Sequence, residues 1–184
     1  TINNSFKLEN GGFVSSSNHK FFRLEPVKFS GNTFELRGIC SLTPDGKRTA
    51  KFLQSARLLP DGLLEIELKL ETAPEDAALI GDESIFLGMP LKMAQGHSLS
   101  WLQGKKTERF VIPMDNGRRL FSTWQKTDLL SLFEDRPEYF FSITPVSRAF
   151  INGFTGFNRF SIQFRPLREA GRTILFKLDF RRGS

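Results

Sequence analysis

The 184 residues carry 26 Lys and Arg against 20 Asp and Glu, a net charge of +6, with 39% hydrophobic and 25% charged residues. That balance is too apolar for an intrinsically disordered chain, and the length suits one domain, 1–184, able to bury roughly 70% of the surface it exposes when unfolded. A lone cysteine, Cys40, excludes an intramolecular disulfide, and no apolar stretch approaches the roughly 18 residues of a membrane helix.

In chain order, the Asn/Gly-rich start and the polar run Ser15 to Asn18 read as a loose arm over 1–19. A three-strand meander follows. Phe34, Leu36, Cys40 and Leu42 alternate with polar neighbours, Pro44-Asp45-Gly46 turns the chain, Thr49 to Leu59 returns, and Pro60-Asp61-Gly62 turns it again. In each tripeptide Pro pre-sets its φ, Asp bonds the backbone two residues on, and Gly takes a positive φ. Leu64, Ile66, Leu68 and Leu70 then alternate strictly with Glu65, Glu67, Lys69 and Glu71, the pattern of a strand with one buried and one wet face. Residues 73–80 predict a short helical turn, with Pro74, Glu75 and Asp76 at its positive end and Gly81 after it.

A second meander is expected from Ser98 to Gln103, Thr107 to Pro113 and Arg118 to Trp124, with Asp115-Asn116-Gly117 as a hairpin signal. Asp128 to Asp135 predicts a short helix with Leu129, Leu130, Leu132 and Phe133 on one face and Pro137 as its stop. Asn152-Gly153-Phe154-Thr155-Gly156-Phe157 predicts a bulged or bent strand that approaches another surface closely. Phe160, Ile162 and Phe164 alternate with Arg159 and Arg165, and Ile174, Phe176, Leu178 and Phe180 with Thr173, Lys177 and Asp179; these two runs read as a C-terminal hairpin. The absence of a βαβ rhythm argues against a parallel-sheet enzyme fold. The whole predicts an all-β, mainly antiparallel sandwich of about ten strands with one or two short helices, a partly open barrel being the alternative.

Candidate chemistry is sparse. Gly96-His97-Ser98-Leu99-Ser100 lacks the second glycine and the following helix of a nucleophile elbow. Asp45, Glu67 and Lys69 match a loose nuclease pattern, yet Asp45 has a sufficient role in its turn and the other two lie on a wet strand face. Three Cys and His residues in all (Cys40, His19, His97) are too few and too scattered for a zinc site, and Glu75, Asp76, Asp82 and Glu83 lack the spacing of a calcium loop. No cofactor or metal is expected.

Charge is segregated. Residues 1–60 hold 9 basic and 4 acidic groups, 61–100 hold 2 and 8, and 101–184 hold 15 and 8. Nine of the 20 Phe lie in 140–184, beside Arg148, Arg159, Arg165, Arg168, Arg172, Lys177, Arg181 and Arg182. A single-stranded nucleic-acid platform needs rings and cations on one face, whereas the alternation puts them on opposite faces. The leading expectation is therefore a non-enzymatic binding module that meets a protein or anionic partner through Arg159, Arg165, Arg168, Lys177 and Arg181. Single-stranded nucleic-acid binding is one alternative. A hydrolase with a loop-built site near His97 is the other, and it requires a carboxylate beside that histidine. The lone cysteine, the missing initiator Met and the β-rich build lean toward an exported, periplasmic protein, and Gly183-Ser184 reads as a cloning scar.

Overall fold

A computed structural model describes residues 2–8, 13–15, 22–115, 117, 119–123, 127–136, 138–146, 149–166 and 173–181. Among them the chain forms β1 (Ile2–Leu8), β2 (Phe13–Ser15), β3 (Phe22–Leu24), β4 (Lys28–Ser30), β5 (Thr33–Ser41), β6 (Thr49–Leu58) and β7 (Leu64–Thr72). A 3₁₀ turn at Pro74–Leu79 leads to β8 (Ile80–Pro90) and the single helical turn α1 (Leu91–Ala94). Then come β9 (Ser98–Gln103), β10 (Lys106–Val111), β11 (Arg119–Thr123), β12 (Leu129–Leu132), β13 (Phe141–Pro145), β14 (Ala149–Gly156), β15 (Arg159–Pro166) and β16 (Thr173–Asp179).

The strands make two antiparallel sheets, neither closed into a barrel. One runs β11-β14-β15-β8-β1-β2; the other runs β10-β9-β12-β13-β16-β7-β6-β5-β3, with β4 also on β5. The sandwich expectation holds, with sixteen strands among the described residues where about ten were expected; β2, β3 and β4 are only three residues long and account for part of the difference. The N-terminal stretch read as a loose arm supplies β1, paired with β8 from Ile2↔Leu87 to Leu8↔Ile80.

Alternation puts most of the β15 and β16 apolar side chains between the sheets, while Phe86 and Phe154, paired with Gln163 and Ser161, meet edge to face at 6.1 Å on the outer face of the six-stranded sheet. Phe160, Ile162 and Phe164 of β15 and Ile174, Phe176 and Leu178 of β16 are all buried in one hydrophobic cluster that draws on both sheets. Phe164 stacks on Phe176 across the gap, centroids 4.6 Å apart and planes 8° from parallel.

The β5–β6–β7 meander forms as read. Asp45 Oδ1 accepts the Lys47 amide at 3.1 Å, Asp61 Oδ1 accepts the Leu63 amide at 3.1 Å, and Gly46 and Gly62 hold φ of 69° and 83°. The 3₁₀ turn occupies the predicted helical stretch, and buried Asp76 there pairs with Arg48 at 3.2 Å.

Four expectations are corrected. The stretch read as a helix over 128–135 contains strand β12, hydrogen-bonded between β9 and β13, with Leu130, Ser131 and Leu132 all buried. A strand covered on both faces reads as a continuous apolar run, which a helix face of similar spacing mimics. The second meander stops at the β9–β10 hairpin, because β11 leaves for the other sheet and pairs with β14. The bulge expected in β14 sits instead on its partner: β14 pairs regularly with β15, while β11 shifts register between Arg119 and Phe121. Finally, β15 and β16 form no hairpin. β15 lies between β14 and β8 in one sheet, and β16 between β13 and β7 in the other.

Candidate functional site

That last correction divides the C-terminal cations. Since the Phe164 and Phe176 faces meet, the opposite faces of β15 and β16 point away from each other. Arg159 and Arg165 therefore lie on the outer face of the six-stranded sheet, and Lys177 lies on the outer face of the ten-stranded one. Arg181 is committed locally: its Nε and Nη2 donate to Asp179 at 2.9 and 3.0 Å, and its Nη1 donates to the Asp61 carbonyl. The guanidinium holds the Asp179 carboxyl below its ordinary range. Arg168 falls outside the described residues. Arg159, Arg165, Lys177 and Arg181 thus share no single surface.

The nuclease-like trio does not converge. Asp45 stays in its turn ahead of β6, while Glu67 pairs in register with Ser55 toward the far end of that strand and bridges to Lys69 at 3.0 Å. Among the described residues no group of three or more His, Cys, Asp and Glu is placed to hold a metal ion. Cys40 is completely buried, and desolvation pushes its thiol up to about 11, so it is unreactive at neutral pH.

His97 does gain a carboxylate. Phe133 adopts φ 59°, donates its amide to the Ser98 carbonyl at 2.9 Å, and swings Glu134 and Asp135 over β9. Asp135 Oδ2 lies 2.8 Å from His97 Nδ1, and its Oδ1 accepts both the amide and the hydroxyl of Ser98 at 2.9 Å. The His97 contact and then the Ser98 amide hold the Asp135 carboxyl well below its usual range. Glu134 meanwhile accepts Ser100 Oγ at 2.6 Å and Arg109 Nη2 at 2.8 Å. In a nucleophilic triad the serine hydroxyl would donate to the histidine; here it donates to the aspartate. The arrangement is a clamp that ties the 133–136 turn to the start of β9. Asp135 lies 38 positions from His97, so no local spacing announces the pair.

A different constellation gathers at the loops beside it. β14 and β15 are joined by the two-residue turn Phe157-Asn158, with φ of 51° and 58°. Such a turn needs the left-handed conformation at both positions, which Asn accepts and Phe resists. Phe157 is 99% exposed. The Asn158 carbonyl accepts the Leu91 amide at 2.8 Å, which docks α1 against the turn. Leu91 and Ala94 bury the inner side of α1, and Lys92 and Met93 are left outside, Met93 at 57% exposure.

A third loop is stitched to the other two. The Gly96 amide donates to the Ile112 carbonyl at 2.7 Å, the Gly117 amide to the Thr155 carbonyl at 2.9 Å, and Thr155 Oγ1 to the Asp115 carbonyl at 2.7 Å. Between those bonds stands Met114, 72% exposed. Three apolar side chains from three loops therefore share one end of the sandwich, with exposed Lys92, Arg119 and Arg159 on the same elements and Asp115 as the acid among them. Gly156 and Asn158 flanking an aromatic are the sequence signal for this turn, and it lies at the end of the run that reads as a bulged or bent strand. The chain matches no protein-family model, and no curated protein matches it in sequence.

Proposed function

We propose that the chain is a binding module without catalytic chemistry of its own, and that it meets its partner through the loop end built from 91–97, 112–117 and 156–159. Phe157 carries the reading. It is almost wholly exposed, so it stabilises little within its own chain, and it occupies a backbone state that costs about 1–2 kcal/mol for a residue with a Cβ. A local conflict of this kind, set on a rigid scaffold, is characteristic of contact sites. Met93 and Met114 extend the patch with flexible thioethers that adapt to an irregular surface. Lys92, Arg119 and Arg159 favour an anionic partner. Arg159 is the one residue this surface shares with the five cations named from the sequence.

Nucleic acid is less well supported, since Phe160, Phe164 and Phe176 are buried and the rings that share the outer face with Arg159 and Arg165, Phe86 and Phe154, are half-buried edge to face, where stacking would need them bare. The test uses the full chain on two matrices. Retention on phenyl-substituted resin should drop in the Met93→Ser/Met114→Ser/Phe157→Ser variant, and the salt needed to elute from heparin should drop in Lys92→Glu/Arg159→Glu. Unchanged retention of both variants overturns the reading.

A further inference from the structure

Resting on the loop-end reading, we propose that the partner is a lipid surface carrying anionic headgroups, into which Phe157, Met93 and Met114 insert as three separate prongs. The 99% exposure of Phe157 means that no wall of the protein flanks the ring. A protein partner would need matched pockets for each of three projecting side chains on three loops, whereas a fluid acyl layer accommodates any spacing. The backbone bonds from Leu91 to Asn158, from Gly117 to Thr155 and from Gly96 to Ile112 fix the prongs relative to one another before contact, so little loop ordering is lost on insertion.

The cations stand behind the apolar tips, the Arg159 guanidinium lying over Gly88 on the outer face of the sheet. Lys92 adjoins Met93, Arg159 is two residues behind Phe157, and Arg119 pairs in register with Phe154 on the same strand as the tip. Long basic side chains behind an apolar tip extend along its flank and place their charge at phosphate depth. Asp115 is the opposing acid among the described residues of these loops, leaving a cationic excess. No helix of the described residues is long and apolar enough to cross a membrane; the proposed contact is carried by the loops.

The experiment is co-sedimentation of the full chain with vesicles of phosphatidylcholine alone or with about one third phosphatidylglycerol, at low and high salt. Association with the anionic vesicles is expected, weakened at least about tenfold in Met93→Ser/Met114→Ser/Phe157→Ser and, by a similar factor, in Lys92→Glu/Arg159→Glu. A Phe157→Trp chain should gain fluorescence quenched by lipids brominated on the acyl chain, which adhesion by charge alone would not produce. Thermal melts of each variant establish that it is folded. Vesicle binding that the serine variant leaves intact, with no quenching at position 157, removes both this proposal and the loop-end reading. If the wild type binds no vesicles but self-associates in a way the serine variant abolishes, the lipid assignment fails and the loop-end reading stands. No vesicle binding together with no effect of the serine variant on any association removes both.

Discussion

Replacing Phe157 by Asn should make the protein more stable. A left-handed residue with a Cβ costs about 1–2 kcal/mol relative to its ordinary conformation, and Asn recovers part of that through its short side chain. At almost complete exposure the ring offers next to no packing to lose, so the two effects do not cancel. The net expectation is a gain of about 0.5–1.5 kcal/mol, which for a chain of this length raises Tm by about 2–4 °C per kcal/mol. Differential scanning calorimetry with a parallel urea titration measures it, an unchanged m-value showing that the denatured ensemble has not shifted. Asn158→Ala is the reverse control and should cost about 1 kcal/mol, because Ala must then take φ near 58°. A Phe157→Asn protein that melts below wild type would mean that the ring supports the native fold, and the inference of a contact site at the turn would go with it.

Further outcomes follow from the core and the clamp. Gly38→Ala places a Cβ about 2.6 Å from the Phe52 ring and 2.7 Å from the Arg23 carbonyl; the backbone oxygen cannot swing away, so a loss of about 1–3 kcal/mol is expected in urea melts, and a neutral result would contradict the packing between β5, β6 and β3. Asp135→Asn should cost about 1 kcal/mol after allowance for the 43% exposure of the carboxylate. Because the folded-state pKa of Asp135 is depressed, its contribution is present above the unfolded value of about 3.9 and is lost as pH falls through the folded one. Wild type should therefore lose its advantage over Asp135→Asn in strongly acidic solution, and a constant gap at every pH would show that the carboxylate charge is not what the clamp uses. Cys40 should resist thiol reagents at pH 8 in the native protein and react on unfolding; rapid native labelling would disprove its burial.

What sequence reveals here is which way a side chain points, and what it conceals is which strand lies alongside. Ile66, Leu68 and Leu70, or Phe160, Ile162 and Phe164, announce a buried face because period two is a property of one strand. Pro-Asp-Gly announces the first meander because a tight turn is equally local. The sheet that receives β11, β15 or β16 depends on pairings tens of residues away, so Asp115-Asn116-Gly117 signals a hairpin where the chain actually crosses to the other layer. The same limit governs the site. Arg159 and Lys177 look like members of one basic surface until β15 and β16 are assigned to different sheets, and the His97–Asp135 pair has no spacing to betray it. Phe157 was visible as a residue but not as a tip, since its meaning depends on the left-handed turn beneath it.

The position of β16 also bears on how the protein is made. It fills the slot between β13 and β7, so on a ribosome the ten-stranded sheet has to wait as two partial ribbons, β10-β9-β12-β13 and β7-β6-β5-β3, until nearly all of the described chain has emerged. Each ribbon presents a bare hydrogen-bonding edge in that interval, the condition under which nascent chains pair with the wrong neighbour. Translation speed through β16, and chaperone occupancy just before it, should therefore affect yield.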